Sequence, residues 1–372
     1  MAVKSAAQSM ALRGRSQRNH RSDGMTRKST HPTLSEVAKR AGVGVTTASR
    51  VINGGQRVSA DTLARVRGVI KSLGYIPNPA ARTLKGYQSR MIGLIVPSIA
   101  DSFFASCAEA AQAVARANDS LLIVTTTQNS SSSELENMEV LMRHRADGLI
   151  IAPADSQNQA LRDMINGIDI PVVAIDRPVA DAPVISVITD NFKAARDAVR
   201  HLIDHGYKRI VCLTGESKLY TIGERIRGYR KAVESAGLPC HVDTSVEDFH
   251  STGCSIERLL GMAKPPDAFF TLKNRTTIFA FETLQRLQVS IPERVALLGF
   301  DDFELASAVR PSISVVQQPV EEIGRVAAEL LFEKLLSRRK GNSPSRAWRP
   351  RKITLETRLI QRSSCGCTPG NS

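Results

Sequence analysis

Two hydrophobic patterns divide this 372-residue chain. From Thr33 to Tyr75 apolar residues recur at helical spacing, as in TLSEVAKRAG, where Leu34, Val37 and Ala41 share one helix face. Beyond residue 90 short, continuously apolar runs alternate with helical stretches. The pattern predicts a small helical region followed by a larger α/β region.

The first region predicts three short helices. Thr33 and Glu36 have capping-box spacing at the start of the first helix, and Gly42 marks its end. VTTASRVIN predicts the second helix, and SADTLARVRGVIKSLGY predicts the third, with a buried stripe of Leu63, Val66, Ile70 and Leu73. Two short helices joined by a tight turn with glycine, and backed by a third, are typical of a helix-turn-helix.

The second predicted helix has few large apolar side chains. Ala48, Val51 and Ile52 can face inward, which leaves a polar outer face. This face carries Val45, Thr46, Thr47, Ser49, Arg50 and Asn53. Hydroxyl, amide and guanidinium groups of this kind bind phosphates and base edges in the major groove of DNA.

The charge distribution supports nucleic-acid binding. Residues 1–85 carry 16 Lys and Arg against 3 Asp and Glu, whereas the remainder carries 34 against 33. A basic region of this kind neutralises a polyanion by counterion release. An ordinary three-helix bundle would explain the helices but not the charge. Residues 1–30 lack periodicity and predict a disordered basic extension, and the choice between Met1 and Met25 as the start stays open.

The second region predicts parallel sheets that are covered on both faces. About ten strands in some 270 residues suit two similar lobes better than one sheet. The strand-like runs are MIGLIVP, LLIVTTT, ADGLIIAP, IPVVAIDR, VISVIT, RIVCLTG, DAFFTL and VALLGFDD. Ligands of such folds bind beyond the carboxyl ends of the strands. The residues in those places are Ser102, Phe103, Phe104, Asp176, Arg177, Asp190, Asn191, Lys273, Asn274 and Asp301.

The segment TLSEVAKRAGVGVTTASRVINGGQRVSADTLARVRGVIKSLGYIPNPAARTLKG resembles the headpiece of the LacI/GalR family of bacterial repressors, and the similarity continues to about residue 362. The resemblance implies base contacts by Val45, Thr46 and Arg50, and phosphate contacts by Thr47, Ser49 and Asn53. It also implies a cleft between lobes like that of periplasmic sugar-binding proteins, with Arg225 and Gln318 as further pocket residues. Gly44 departs from the family, which usually has a capping serine there.

The prolines in YIPNPAARTLKG end the third helix, and the segment after them is too short for a stable isolated helix. The resemblance implies a hinge helix that folds in the minor groove, where Leu84 is the intercalating residue, Ala81 the small residue beside it and Asn78 a backbone contact. A flexible linker is the alternative.

The predicted pocket combines polar groups with aromatic faces, as a carbohydrate-like ligand requires. Where the family usually has Asn-Asp, this sequence has Lys273-Asn274. Together with Arg177 and Arg225, this exchange favours an anionic effector such as a sugar acid or sugar phosphate. The alternatives are an internal ion pair of Lys273 with one of the aspartates and a Lys273 side chain that points to solvent.

Other chemistry-bearing residues give weaker signals. His201 and His205 have the i, i+4 spacing of zinc ligands on a helix, but without a third ligand a solvent-facing surface is favoured. Cys365 and Cys367 suggest metal or redox chemistry, but no partner ligands lie near them in the sequence. NSSSSEL is interpreted as a polar loop, and Asp301–Asp302 as neighbours that point in different directions. Without a phosphate-binding loop or a nucleophile motif, we predict no enzyme, cofactor or metal site.

The predicted fold is a small all-α helix-turn-helix headpiece, joined by a hinge helix to a two-lobed α/β effector domain of the periplasmic-binding-protein type. The predicted boundaries are 1–30 for the extension, 31–76 for the headpiece, 77–89 for the hinge and linker, 90–362 for the two lobes and 363–372 for a disordered tail. The predicted function is a ligand-responsive repressor that binds palindromic operator DNA as a homodimer in the cytoplasm, away from membranes. A solute-binding protein and a carbohydrate-processing enzyme are the alternatives. The solute-binding alternative is disfavoured because the N-terminus lacks the apolar core of a signal peptide.

Overall fold

The computed structural model describes residues 32–52, 54, 58–76, 89–215, 218–339 and 350–367. These residues belong to two compact units, one that contains residues 32–76 and one that contains residues 89–367. Among the described helices, none combines the length and the apolar character needed to cross a bilayer.

The first unit contains the three predicted helices, α1 (Leu34–Arg40), α2 (Val45–Ile52) and α3 (Ala60–Leu73). The capping box forms as predicted, because the Thr33 amide donates to Glu36 Oε2 at 2.6 Å and the Glu36 amide donates to Thr33 Oγ1 at 3.3 Å. Gly42 then ends α1 in the left-handed conformation, with φ +63°. The small core holds Val37, Ala41, Val51 and Val66, against which Leu63, Ile70 and Leu73 pack.

The second unit contains two six-stranded sheets within the described residues. Lobe 1 is the sheet with strand order β11-β5-β4-β3-β1-β2, and lobe 2 is the sheet with order β12-β10-β9-β8-β6-β7. The strands are β1 (Met91–Val96), β2 (Leu121–Thr126), β3 (Gly148–Ile151), β4 (Val172–Ile175), β5 (Ile185–Thr189), β6 (Ile210–Leu213), β7 (His241–Asp243), β8 (Ala268–Thr271), β9 (Ala296–Phe300), β10 (Ser314–Gln317), β11 (Arg351–Leu355) and β12 (Arg358–Ile360).

Helices cover both faces of each sheet, which explains why the central strands are continuously apolar. All residues of β3, β4, β6, β8 and β9 are buried. Pairing is parallel throughout both sheets except between β10 and β12. The helices are α4 (Ser102–Ala117), α5 (Ser131–Arg143), α6 (Gln159–Gly167), α7 (Asn191–Asp204), α8 (Tyr220–Ser235), α9 (Phe249–Leu260), α10 (Asn274–Arg286) and α11 (Val320–Arg339).

The chain passes between the lobes at three places in the described residues. It leaves lobe 1 after β5 to form α7, returns after β10 to form α11, and passes from β11 of lobe 1 to β12 of lobe 2. Parallel strands of both lobes therefore end near these connections, at the edge where folds of this kind bind their ligands.

Three predictions about the chain need correction here. Ser363–Cys365 forms a 3-10 turn in which Ser364 and Cys365 are fully buried, so the segment to Cys367 is not a disordered tail. Ser364 anchors it, because its amide donates to the Ser312 carbonyl at 2.9 Å and its hydroxyl donates to the Leu297 carbonyl at 2.6 Å. This turn lies against the end of α7, so His201 does not simply face solvent. The predicted NSSSSEL loop is instead the start of α5, capped by Ser130.

Candidate operator interface and effector cleft

The outer face of α2 is exposed where base contacts are predicted. Val45 is 49% exposed, and Thr46 and Arg50 are exposed as well. The inner face is anchored by Ala48 and Val51, which are buried in the headpiece core. The exposed methyl groups of Val45 are available for contact with a thymine methyl group.

The remaining predicted DNA contacts divide into two groups. Thr47 and Ser49 lie half-buried at the borders of the α2 face, where short hydroxyl side chains can reach phosphates. Asn53, Asn78, Ala81 and Leu84 lie outside the described residues. Gly44 precedes α2, and the space around it has room for a side chain, since an added Cβ would meet no atom closer than Thr46 Oγ1 at 3.9 Å.

In the second unit, the lobe 2 side of the cleft is organised around Arg225. This side chain, 3% exposed, rises from α8 and stacks over the Phe300 ring at 3.6 Å. Its Nε donates to Asn191 Oδ1 at 2.7 Å, and its Nη1 donates to the Leu272 carbonyl at 2.6 Å and to Asp301 Oδ2 at 3.2 Å. One guanidinium thus joins groups that follow β5, β8 and β9.

The lobe 1 side of the cleft also contains an arginine paired with an aspartate, Arg177 with Asp176. Arg177 Nε donates to Asp176 Oδ2 at 3.0 Å, and Nη1 donates at 2.9 Å both to Asn129 Oδ1 and to the Pro153 carbonyl. Burial raises the pKa of Asp176, against the opposing effect of Arg177 and then Arg225. Both Asp176 and Asp301 hold positive φ, at 64° and 70°, which turns the chain sharply at the strand ends.

Groups from the two lobes approach each other across the cleft. Asn274 at the start of α10 lies 3.4 Å from Ser102 at the start of α4, measured from Nδ2 to Oγ. Burial, followed by the charge of Asp301, raises the pKa of Asp101, which caps α4. Gln318 donates to Asp301 Oδ1 at 2.5 Å and accepts from Thr189 Oγ1 at 2.6 Å, and so joins two of the connections between the lobes.

Some predicted effector residues have structural roles. Phe103 and Phe104, 7% and 5% exposed, contact each other at 4.9 Å between ring centroids and pack in the lobe 1 core. Asp190 is exposed and caps α7 through the Lys193 amide at 2.9 Å. Lys273 occupies the cap position of α10 without a side-chain cap bond. Asp302 points away from Asp301, as predicted, and pairs with Arg362 at 2.8 Å.

The sequence reasoning missed several cleft residues. Asp101 stands directly before Ser102 in the loop after β1, so the strand-end rule could have found it. Asn129 and Glu134 were overlooked because they belong to the segment interpreted as a loop. Glu134 is fully buried, and its Oε1 accepts from the Ala154 amide at 3.1 Å. Burial raises its pKa to about 7 despite this hydrogen bond and the charge of Arg177.

Both units resemble known protein families. The family described as bacterial regulatory proteins, lacI family, matches residues 33–78. The family described as periplasmic binding proteins and sugar binding domain of LacI family matches residues 89–362. The ribose operon repressor of Haemophilus influenzae is 29% identical over 335 residues, which cover 89% of this chain and 98% of the relative.

Further relatives and solved structures agree with this assignment. The HTH-type transcriptional repressor PurR of Aliivibrio salmonicida is 30% identical over 307 residues, 82% of this chain and 92% of the relative. The structure of a transcriptional regulator CelR–cellobiose complex has a TM-score of 0.64 at 28% identity and covers 90% of this chain and 100% of that chain. The lac repressor dimer bound to operator and the anti-inducer ONPF shares the fold, with a TM-score of 0.78 at 22% identity over 90% of this chain and 99% of that chain.

The relatives are named as transcriptional repressors rather than enzymes. The polar outer face of α2 and the two-lobed unit are the parts that such a repressor needs. The chain therefore belongs to the LacI family of bacterial DNA-binding transcriptional repressors, with a helix-turn-helix headpiece followed by a sugar-binding-type domain.

Proposed function

We propose that this repressor binds a palindromic operator as a homodimer, in the bacterial cytoplasm where its DNA target lies. The exposed face of α2, with Val45, Thr46 and Arg50, is the observation that carries the proposal. One short recognition helix contacts too few base pairs for useful specificity, whereas two copies on paired half-sites multiply it. The lac repressor of similar fold was solved as a dimer on its operator, which supports this arrangement.

A band-shift titration over a range of salt concentrations tests operator binding. Operator fragments are first selected from a random DNA pool with the full chain. Replacement of Arg50 by Ala is expected to weaken specific binding about 10- to 100-fold, because a bidentate contact to guanine is lost. Arg67→Ala, which removes an exposed arginine from α3, is the matched control and is expected to change specific binding far less.

The homodimer has its own test. Equilibrium sedimentation of the full chain with and without operator is expected to give a dimer on the DNA. A monomer under both conditions would contradict the proposal.

We also propose that Leu84 acts as a minor-groove wedge with Ala81 and Asn78 beside it, as the family resemblance implies. Leu84→Ala is expected to lower affinity for operator far more than affinity for non-specific duplex, because only a kinked site benefits from intercalation. Equal losses on both DNAs would contradict this role.

The proposed effector is a small carbohydrate-like molecule in the cleft. Arg225, Asp301 and Gln318 supply a hydrogen-bonding surface suited to hydroxyl groups, and Asn274 and Ser102 approach it from opposite lobes. Relatives named as ribose operon repressors and a structure titled as a cellobiose complex support a sugar. A ligand that binds both lobes favours the closed arrangement and thereby changes operator affinity.

We further propose that the effector carries a carboxylate or phosphate. Lys273 replaces a residue that is usually neutral in the family and lies at the N-terminus of α10, where both the cation and the helix dipole favour an anion. Arg177 and Arg225 pair with Asp176 and Asp301. Lys273 is the position at which this sequence carries a cation and the family usually does not, so the preference is tested there.

Calorimetric titration with matched neutral and acidic sugars tests the anionic preference. The full chain is expected to bind the acids more tightly, and Lys273→Met to lose that preference by about 10-fold or more, since hydrogen bonds to charged groups are the stronger ones. Lys193→Met, which removes an exposed lysine from α7, is the control. Equal binding of neutral sugars and acids by the full chain would contradict an anionic effector and leave the carbohydrate proposal intact.

A further inference from the structure

Two pairs of metal-ligating side chains meet at the end of α7, although neither pair has further ligands near it in the sequence. His201 lies in the last turn of this helix, and His205 is its C-terminal cap residue. Cys365 and Cys367 flank Gly366 in the segment that follows β12. We call these four residues the thiol–imidazole cluster.

Three of the four ligand atoms converge, and His205 contacts one of them. His201 Nε2 lies 3.3 Å from Cys365 Sγ and 3.4 Å from Cys367 Sγ. The two Sγ atoms are 3.4 Å apart, and Cys367 Sγ is 3.3 Å from His205 Nε2. Ligand atoms of His201, Cys365 and Cys367 all lie within 4.8 Å of one another. The four separations between these atoms are close to the edges of a tetrahedral zinc site, which are roughly 3.3–3.8 Å for ordinary Zn–N and Zn–S bonds, and His205 lies beside the group of three through its contact with Cys367.

The backbone holds the thiols in this arrangement. Gly366 has φ +90°, which turns Cys367 back toward the thiol of Cys365, and a Cβ at this position would lie 2.9 Å from the Tyr207 hydroxyl. Only glycine meets both conditions without strain. The anchored Ser364 fixes the preceding turn. The position of Cys365 is therefore fixed by this anchored, buried turn as well as by its contact with His201.

The electrostatic surroundings also favour a cation. The C-terminus of α7 carries the negative end of the helix dipole beside both imidazoles. Cys365 is fully buried, so a thiolate there needs a positive partner, and the Ser314 hydroxyl donates to its sulfur at 3.1 Å. Two thiolates and two neutral imidazoles around a divalent ion give a neutral site, which suits this burial.

We propose that His201, His205, Cys365 and Cys367 bind one Zn²⁺ ion, which fastens the C-terminal segment to α7. Two sulfur and two nitrogen ligands in a tetrahedral arrangement favour zinc over magnesium, calcium or manganese. Since all four coordination positions come from the protein, the site is structural.

Cobalt substitution tests the proposal. The full chain is stripped of metal under reducing conditions and titrated with Co²⁺, which reports thiolate ligation through a charge-transfer band and tetrahedral geometry through its visible absorption. One equivalent of Co²⁺ is expected to bind and to be displaced by Zn²⁺. X-ray absorption at the zinc edge is expected to give two sulfur and two nitrogen neighbours.

Variants locate the ion. Cys367→Ser and His205→Gln change residues at the solvent side of the cluster, so they leave the buried Cys365 turn in place. Each is expected to weaken Zn²⁺ binding by more than about 10-fold, since loss of even an outer-shell partner costs that much.

The matched control is His250→Gln with Cys254→Ser, which removes an exposed pair of the same donors on α9, 3.7 Å apart. Full metal uptake by this control is expected. Failure of the reduced full chain to take up metal, uptake without the charge-transfer band, or equal losses in the control and the cluster variants would overturn the proposal.

Discussion

The effector cleft and the thiol–imidazole cluster lie at opposite ends of α7 and handle polar groups differently. The helix begins beside the cleft at Asp190 and reaches the cluster after 14 residues, about 21 Å at the usual rise per residue. In the cleft, arginines and aspartates are paired, Arg177 with Asp176 and Arg225 with Asp301. In the cluster, both imidazoles contact Cys367, which together with His201 also contacts Cys365.

This difference suits the two proposed ligands. A sugar in the cleft would compete with hydrogen bonds that the protein already makes, so we expect its binding to be reversible and sensitive to lobe position. A metal in the cluster would replace only protons and weak contacts, so we expect its binding to contribute directly to folding.

The largest expected effect comes from breaking the paired charges of the cleft. Arg225→Met removes the donor shared by Asn191, Leu272 and Asp301, and leaves a part-buried carboxylate without its cation. We expect a loss of about 3–5 kcal/mol in the free energy of unfolding, measured by urea denaturation. Arg227→Met on the same helix, whose side chain is 64% exposed, should cost about 1 kcal/mol or less. Similar losses in the two variants would show that the cleft pairing is no stronger than a surface ion pair.

The fully buried Glu134 is expected to make the free energy of unfolding depend on pH. Its folded-state pKa is raised to about 7 from an ordinary 4.5, so the folded protein holds a proton that the unfolded chain releases. Stability is therefore greatest below about pH 4.5 and falls as the pH rises to about 7, by about 3 kcal/mol in total.

Glu134→Gln keeps the shape of the side chain and removes this titration. We expect the variant to gain up to about 3 kcal/mol in unfolding free energy at pH 8 and less than about 1 kcal/mol at pH 5. Glu136→Gln on the exposed face of α5 is the control. The same gain at both pH values would argue against titration of Glu134 as the cause.

Zinc bound at the C-terminal end of α7 is expected to change the free energy of unfolding by a similar amount. At a free Zn²⁺ concentration 100 times the dissociation constant, the full chain should gain about 2.7 kcal/mol in unfolding free energy, and a chelator should remove the gain. At the same Zn²⁺ concentration, Cys367→Ser should gain no more than about 1.4 kcal/mol, because its affinity is expected to be at least about 10-fold lower. If the variant gains as much as the full chain, the stabilising metal binds elsewhere.

The two ends of α7 also differ in how far the sequence predicts them. Continuous apolar strands predicted the parallel sheets, and the strand-end rule then located Asp176, Asp301 and Asn274, because the topology of such sheets brings their carboxyl ends together. The same rule could not distinguish cleft groups from caps and core residues. Asp190 caps a helix and Phe104 packs in the core, since both roles depend on side-chain direction.

The cluster was not predictable in this way. His201 and Cys365 are 164 positions apart, and the pairing of β10 with β12 brings the tail back to α7. Each pair taken alone lacked two ligands, and Cys365–Gly366–Cys367 is too short to be distinguished from an ordinary turn. The positive φ of Gly366 is visible only in the fold.

The smallest expected effect concerns the hydroxyl that supports the cluster from outside. Ser314 begins β10, the strand that ends at the cleft, and its Oγ donates to Cys365 Sγ at 3.1 Å while accepting from the Arg362 amide at 2.8 Å. A hydrogen bond to a metal-bound thiolate lowers the charge on sulfur and fixes its orientation. We expect Ser314→Ala to weaken Zn²⁺ binding about 10-fold, less than loss of a ligand, with one equivalent of metal still bound. Ser312→Ala removes a hydroxyl that contacts Ser363 rather than a thiol, and it should leave the affinity unchanged. Equal affinities for Ser314→Ala and the full chain in Co²⁺ titrations would mean that Ser314 holds only the backbone of Arg362 and does not act on the metal site.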